Sequence, residues 1–135
     1  MNGFNKWRRL DDGERLVVAY AAGALALLPA LVRWVSLKRL LSSGPLTPAI
    51  ASFGHATRIA ALVDGVALNL PWTTTCLHRA VAAAWLMRRC GCHGELIVGV
   101  RKGGDDFAAH AWLEHLGSPL CHTTDGYQRL ASWPY

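Results

Sequence analysis

From Leu16 to Val32 the chain runs 17 residues without one charged side chain, and this run constrains the fold more than any other feature. Its side chains have to leave water, either in a protein interior or at an apolar boundary. A spanning helix needs about 20 apolar residues; the run falls at the low edge of that requirement and is interrupted by Gly23 and Pro29. A buried or interfacial helix is therefore expected rather than a membrane span. Asp11 or Asp12 can cap it near Gly13, and Glu14 suits the positive end of the helix dipole. Pro29 should kink or end it.

A second helical piece is expected over Ala30 to Leu41, stopped by Ser42-Ser43-Gly44-Pro45. Thr47 and Pro48 form a cap and first-turn pair for a third, continuing through Phe53, Thr57, Ala60 and about Val63. A fourth begins after Asn69-Leu70-Pro71-Trp72, carries Cys76 near its start, and ends at Arg88, Arg89 and Gly91. Its alanines permit close packing on strands. The pattern then changes period. Glu95 to Arg101 reads as a strand, Lys102 to Asp106 as a loop, and Phe107 to Leu116 with Leu120 to Thr124 as a hairpin around Gly117. At 135 residues the chain fits one domain, residues 1–135, with a helical part over 1–68 and a core over 69–135. The fold class is α+β: helices first, then a small antiparallel sheet against the cysteine-bearing helix.

The net charge of +5 favours acidic partners. No zinc-finger, RNA-recognition or homeodomain pattern accompanies it, and the arginines are interspersed with leucine and tryptophan, so nucleic-acid binding is not expected. The four cysteines, Cys76, Cys90, Cys92 and Cys121, lack the spacing of a disulfide framework, and no secretory signal precedes them. A reduced, cytoplasmic setting follows. No phosphate-binding loop occurs, and no cofactor is expected.

Cys76 and His110 carry the chemistry. A thiolate is the reactive form of cysteine, and a free thiol titrates near about 8.5. A helix start lowers that value by roughly one unit or a little more, so holding a thiolate at neutral pH also needs an imidazolium beside it. His78 lies two residues from Cys76, whereas helix neighbours are three and four apart. His55 belongs to an earlier segment, and His93 follows Gly91 in a turn. His110 remains, sharing a strand face with Ala108, Trp112 and Glu114, where Trp112 can shield the pair from water. The bland alternative is a buried structural thiol and an ordinary strand histidine. Arg79, one turn from Cys76, is read as a solvated or dipole-related residue, Trp72 as core, and Asp105-Asp106 as a solvated loop; the alternative for each is a place lining the peptide groove, where Arg79 could contact substrate.

Leu70-Pro71-Trp72, Thr75-Cys76-Leu77, Arg79-Ala80, Leu96-Ile97-Val98-Gly99-Val100-Arg101 and Phe107-Ala108-Ala109-His110-Ala111-Trp112-Leu113-Glu114 together resemble one family. It is the B2 leader-peptidase component of lasso peptide biosynthesis, with a transglutaminase-like, papain-type fold. The resemblance implies a cysteine protease that removes the leader from a ribosomally made precursor peptide, with Cys76 as nucleophile and His110 as general base and then acid. It also implies a separate leader-recognition protein of the B1 type and a lasso cyclase as partners. With the helices beginning almost at Met1, the stand-alone form is expected. The family's third residue, an aspartate about twelve positions after the histidine, is replaced here by His122. The nearest downstream aspartate is Asp125. A Gly117-Ser118 turn would set Asp125 opposite His110; a Leu116-Gly117 turn would set Thr123 there. Pro119, lacking an N–H, disfavours the first. Asp125 is taken as the third member because a carboxylate stabilises imidazolium better than a neutral histidine does.

Three other readings compete. Cys90-x-Cys92-His93 and Cys121-His122 offer thiols and imidazoles to zinc, but at irregular spacing, so no metal is expected. The altered third position allows a non-catalytic interaction module. The run Leu16 to Val32 with its basic neighbours allows a protein of the membrane surface.

Overall fold

The computed structural model describes residues 8–42, 56–120 and 126–135. Four helices come first among them, α1 (Asp12–Trp34), α2 (Leu37–Ser42), α3 (Ala56–Asn69) and α4 (Cys76–Arg89). Four strands follow, β1 (Gly94–Gly103), β2 (Asp106–His115), β3 (Ser118–Pro119) and β4 (Gln128–Pro134). The sheet is antiparallel, in the order β3-β2-β1-β4. The expected α+β class is thus the observed one. The Thr47-Pro48 cap and the Ser43-Gly44-Pro45 stop lie outside the described residues, as do His55, Cys121, His122 and Asp125.

Asp11 opens α1 with a capping box: its side chain accepts from the Glu14 N–H, and the Glu14 carboxylate accepts from the Asp11 N–H. Of the two alternatives for Pro29, a kink or an end, the end is not what occurs: α1 runs through it to Trp34, so the piece expected to begin at Ala30 is in its first part a continuation of α1. The lost hydrogen bond to Leu25 is tolerated because Leu25 and Leu28 are buried on the packed face, which holds the turn in place. The break comes instead at Val35, where the backbone turns extended.

The uncharged run is a core helix on one side. Val17, Ala21, Leu25 and Leu28 pack with Ile59, Leu62 and Val63 of α3 and with Val81, Ala84 and Leu86 of α4 in one continuous cluster. The alanines of α4, Ala80, Ala82, Ala83 and Ala84, are all buried, and their small size lets the sheet approach. Leu96, Ala111 and Leu113 are the strand residues that meet the helices. At its far end α4 closes with the hydrogen bonds of a Schellman motif, Gly91 N–H to Arg88 O and Cys92 N–H to Met87 O, and Gly91 takes the left-handed conformation (φ 77°) that this turn requires.

β1 and β2 form a hairpin in which Gly99 faces His110 and Gly103 faces Asp106. The next turn is Leu116-Gly117, since His115 pairs with Ser118 and Glu114 with Pro119. Both turn residues have positive φ, 53° and 78°, as a type I′ hairpin needs. Of the two registers weighed from sequence, this is the one that counts His110 against position 123. β3 is Ser118–Pro119; of the strand expected over Leu120 to Thr124, residues 121–124 lie outside the described residues. β4 was not anticipated. It pairs with β1 at the opposite edge of the sheet, with a bulge at Val98/Gly99. Most of its residues are exposed, so it lacks the alternation that marks a half-buried strand.

Candidate active site

Thr75 is the N-cap of α4: its hydroxyl accepts from the His78 N–H at 3.2 Å, and its carbonyl accepts from the Arg79 N–H at 3.1 Å. Cys76 is therefore the first helical residue, half-buried, at the positive end of the dipole. With His78 and Arg79 engaged, the Cys76 and Leu77 N–H groups are the ones that a helix start leaves for a ligand. Thr74, just upstream, is buried and accepts from Arg79 Nε at 3.0 Å, which folds the arginine back toward the helix start.

His110 sits mid-strand on β2. Its ring stacks on Trp112, centroids 5.9 Å apart at 24°, and meets Tyr127 at 5.3 Å. The Arg101 guanidinium lies 5.0 Å from the centre of the Tyr127 ring. Trp112 is buried, as the expected shield of the pair should be. The cross-strand neighbour is glycine for a steric reason. A Cβ on Gly99 would lie 2.8 Å from the Trp112 ring and 2.8 Å from the Gln128 carbonyl oxygen.

The two residues selected from sequence line one cavity of about 590 Å³. Arg79 and Ala83 of α4 contribute to it, with Trp112, Leu120 and Tyr127. Its lining comes from both faces of β2, with Ala111 and Leu113 beside His110 and Trp112; among the described residues β3 pairs with that strand at Glu114 and His115. Among the described residues, the edge of β2 carrying His110 has no pairing strand, and the cavity opens around it. The other described histidines are elsewhere. His78 borders a separate depression with Arg33 and Trp34, and His93 Nδ1 lies 3.2 Å from the Tyr135 carbonyl.

The remaining described thiols differ from Cys76 in environment. Cys90 and Cys92 are buried at the end of α4; burial pushes the Cys90 thiol up to about 11 and raises that of Cys92. Both are held in the unreactive form. Among the described residues no group of three His, Cys, Asp or Glu side chains is placed to hold a metal ion. Trp72, expected in the core, is 42% exposed, because it lies in the loop before α4 and not on a packed face. Arg79 belongs to the cavity, while Asp105 and Asp106 form the exposed tip of the β1–β2 hairpin. Tyr127 was missed from sequence; it precedes an unanticipated strand, and no local pattern ties it to His110.

Burial lowers the His110 pKa below its ordinary 6.5. The neutral, proton-accepting ring is thus retained to lower pH. The acid limb of any reaction using His110 as base should have its midpoint below about 6.5, and the folded state should lose stability as pH falls through that value, since the unfolded chain then binds the extra proton. A pH profile of turnover, read beside a pH series of thermal melts, checks both.

A capped helix presenting a thiol, packed on an antiparallel sheet that presents a histidine to the same cavity, is an α+β arrangement consistent with a transglutaminase-like core. The chain belongs to the transglutaminase-like superfamily, whose model matches residues 19–132, a superfamily that includes cysteine peptidases. No curated protein and no solved structure matches the chain.

Proposed function

We propose that this protein is a cysteine peptidase that removes the leader peptide from a lasso peptide precursor in the cytoplasm. The observation that carries the reading is the convergence of Cys76, at a capped helix start, and His110 on one cavity. The resemblance of the segments around both residues to the B2 leader peptidases supports the narrower assignment.

In the proposed reaction His110 takes the proton from Cys76 as Sγ attacks the carbonyl of the last leader residue. The Cys76 and Leu77 N–H groups receive the developing oxyanion. Collapse breaks the C–N bond, His110 returns the proton to the departing amine of the core peptide, and water then hydrolyses the thioester to release the leader carboxylate. The freed amine becomes the substrate of a separate lasso cyclase. A B1-type recognition protein delivers the leader. No cofactor or metal takes part.

Asp125 is proposed to orient the imidazole. What supports the choice is its charge: a carboxylate stabilises imidazolium better than a neutral histidine does. Tyr127, two residues beyond Asp125, packs on His110. Reconstitution with precursor and recognition protein, read by mass spectrometry, tests the assignment: Asp125→Ala is expected to lower leader removal about 10³- to 10⁴-fold, and His122→Ala to lower it far less. Equal activity of the two variants would refute Asp125 as the third member.

A further inference from the structure

The helix α1 is apolar on two sides. Its buried stripe enters the core, but Leu16, Tyr20, Gly23, Leu27, Leu31 and Trp34 follow one another at helical spacing along the outer side. Leu27 is 61% exposed and Trp34 87%. Only 22% of the most apolar stretch of this helix is buried. The exposed stripe runs roughly 27 Å at 1.5 Å per residue. It continues sideways into an apolar depression of about 440 Å³ bordered by Leu40, Val81 and Trp85. A solvated face of this size requires a cover.

The charges say what kind. Exposed cations stand at both ends of the stripe, Arg8 and Arg9 before α1, Arg33 in its last turn, and Lys38 and Arg39 on α2, with none between Arg15 and Arg33. The acidic residues at the first end are engaged within the protein: Asp11 caps α1, Asp12 pairs with Arg15 at 3.5 Å, and Glu14 pairs with Arg58 at 2.6 Å. A second copy laid along the stripe would bring Arg33, Lys38 and Arg39 against themselves or against Arg8 and Arg9. An anionic lipid surface would attract both ends while receiving the leucines between them.

We propose that this face seats the protein on an anionic bilayer, with α1 lying in the plane of the headgroups and not crossing them. Trp34 sits at headgroup level, and the arginines and lysine snorkel outward. Trp34 and Arg33 share a depression with His78, which is two residues from Cys76. Seating would therefore hold the start of the cysteine helix near the lipid surface. The inference does not depend on the peptidase reading.

Sedimentation of the full chain with vesicles tests it. Binding to phosphatidylcholine vesicles containing phosphatidylglycerol is expected to exceed binding to phosphatidylcholine alone by about tenfold or more and to weaken as salt is raised. Leu27→Glu/Leu31→Glu and, separately, Arg33→Glu/Lys38→Glu should each lower it about tenfold, with helical circular dichroism unchanged. Cys76→Ala should bind like the parent. The absence of vesicle binding, equal binding to both lipid compositions, or a concentration-dependent dimer that Leu27→Glu/Leu31→Glu dissolves in place of lipid binding would each overturn the proposal.

Discussion

Cys76→Ala is expected to abolish leader removal, and His110→Ala to lower it by roughly 10³- to 10⁶-fold, the range seen when one member of a nucleophile–base pair is deleted. Neither effect should come through folding. Cys76 is half-buried at a helix start whose cap is the Thr75 hydroxyl, so losing its sulfur leaves the hydrogen bonds of that turn intact. The His110 ring packs against Trp112 and Tyr127, side chains that hold their own places in the sheet and beside it. Cys90→Ala and Cys92→Ala provide the contrast: both thiols are buried and raised in pKa, so these changes should affect stability more than chemistry. Turnover of the reconstituted precursor, quantified by mass spectrometry beside thermal melts, separates the two kinds of loss.

Gly99→Ala is expected to cost both stability and turnover. Its added methyl would stand 2.8 Å from the Trp112 ring and 2.8 Å from the backbone oxygen of Gln128. Backbone cannot yield as a flexible side chain does, so a cost of about 1–3 kcal/mol or more is expected. The ring that must move is the one stacked on His110, and the loss of turnover should therefore exceed what unfolding alone explains. Gly94→Ala is the matched control. Its Cβ would fall 2.0 Å from the Glu114 carbonyl oxygen and 2.6 Å from the Tyr135 hydroxyl, at the other end of β1. That change should depress the melting temperature at least as much while sparing the turnover of whatever fraction stays folded. Thermal melts and specific activity of the two variants decide it.

The site was legible in sequence where local rules govern it. The Asn69-Leu70-Pro71-Trp72 connection marked a helix start near Cys76, and the structure begins the helix at Cys76 itself, at the dipole's positive end. The strand around His110 was readable because aliphatic and aromatic residues are bounded there by glycines. The uncharged run predicted α1 but not its passage through Pro29, since a tertiary contact supplies the energy that offsets the lost hydrogen bond. β4 and Tyr127 were invisible for a related reason: an exposed edge strand carries no periodicity, and its pairing with β1 is a long-range event. The glycine at position 99 gave no signal either. Its reason is a ring thirteen residues away in sequence, brought over it by the hairpin register.

Cooperation between the Cys76 thiol and the His110 imidazole is tested most directly by the rate at which iodoacetamide alkylates Cys76 across pH, read by peptide mass spectrometry in the parent and in His110→Ala. The expected result is labelling of Cys76 well ahead of Cys90 and Cys92, with the parent's rate near neutral pH about tenfold or more above that of His110→Ala. Superimposable pH–rate profiles for the two proteins would contradict the pairing, and with it the peptidase reading.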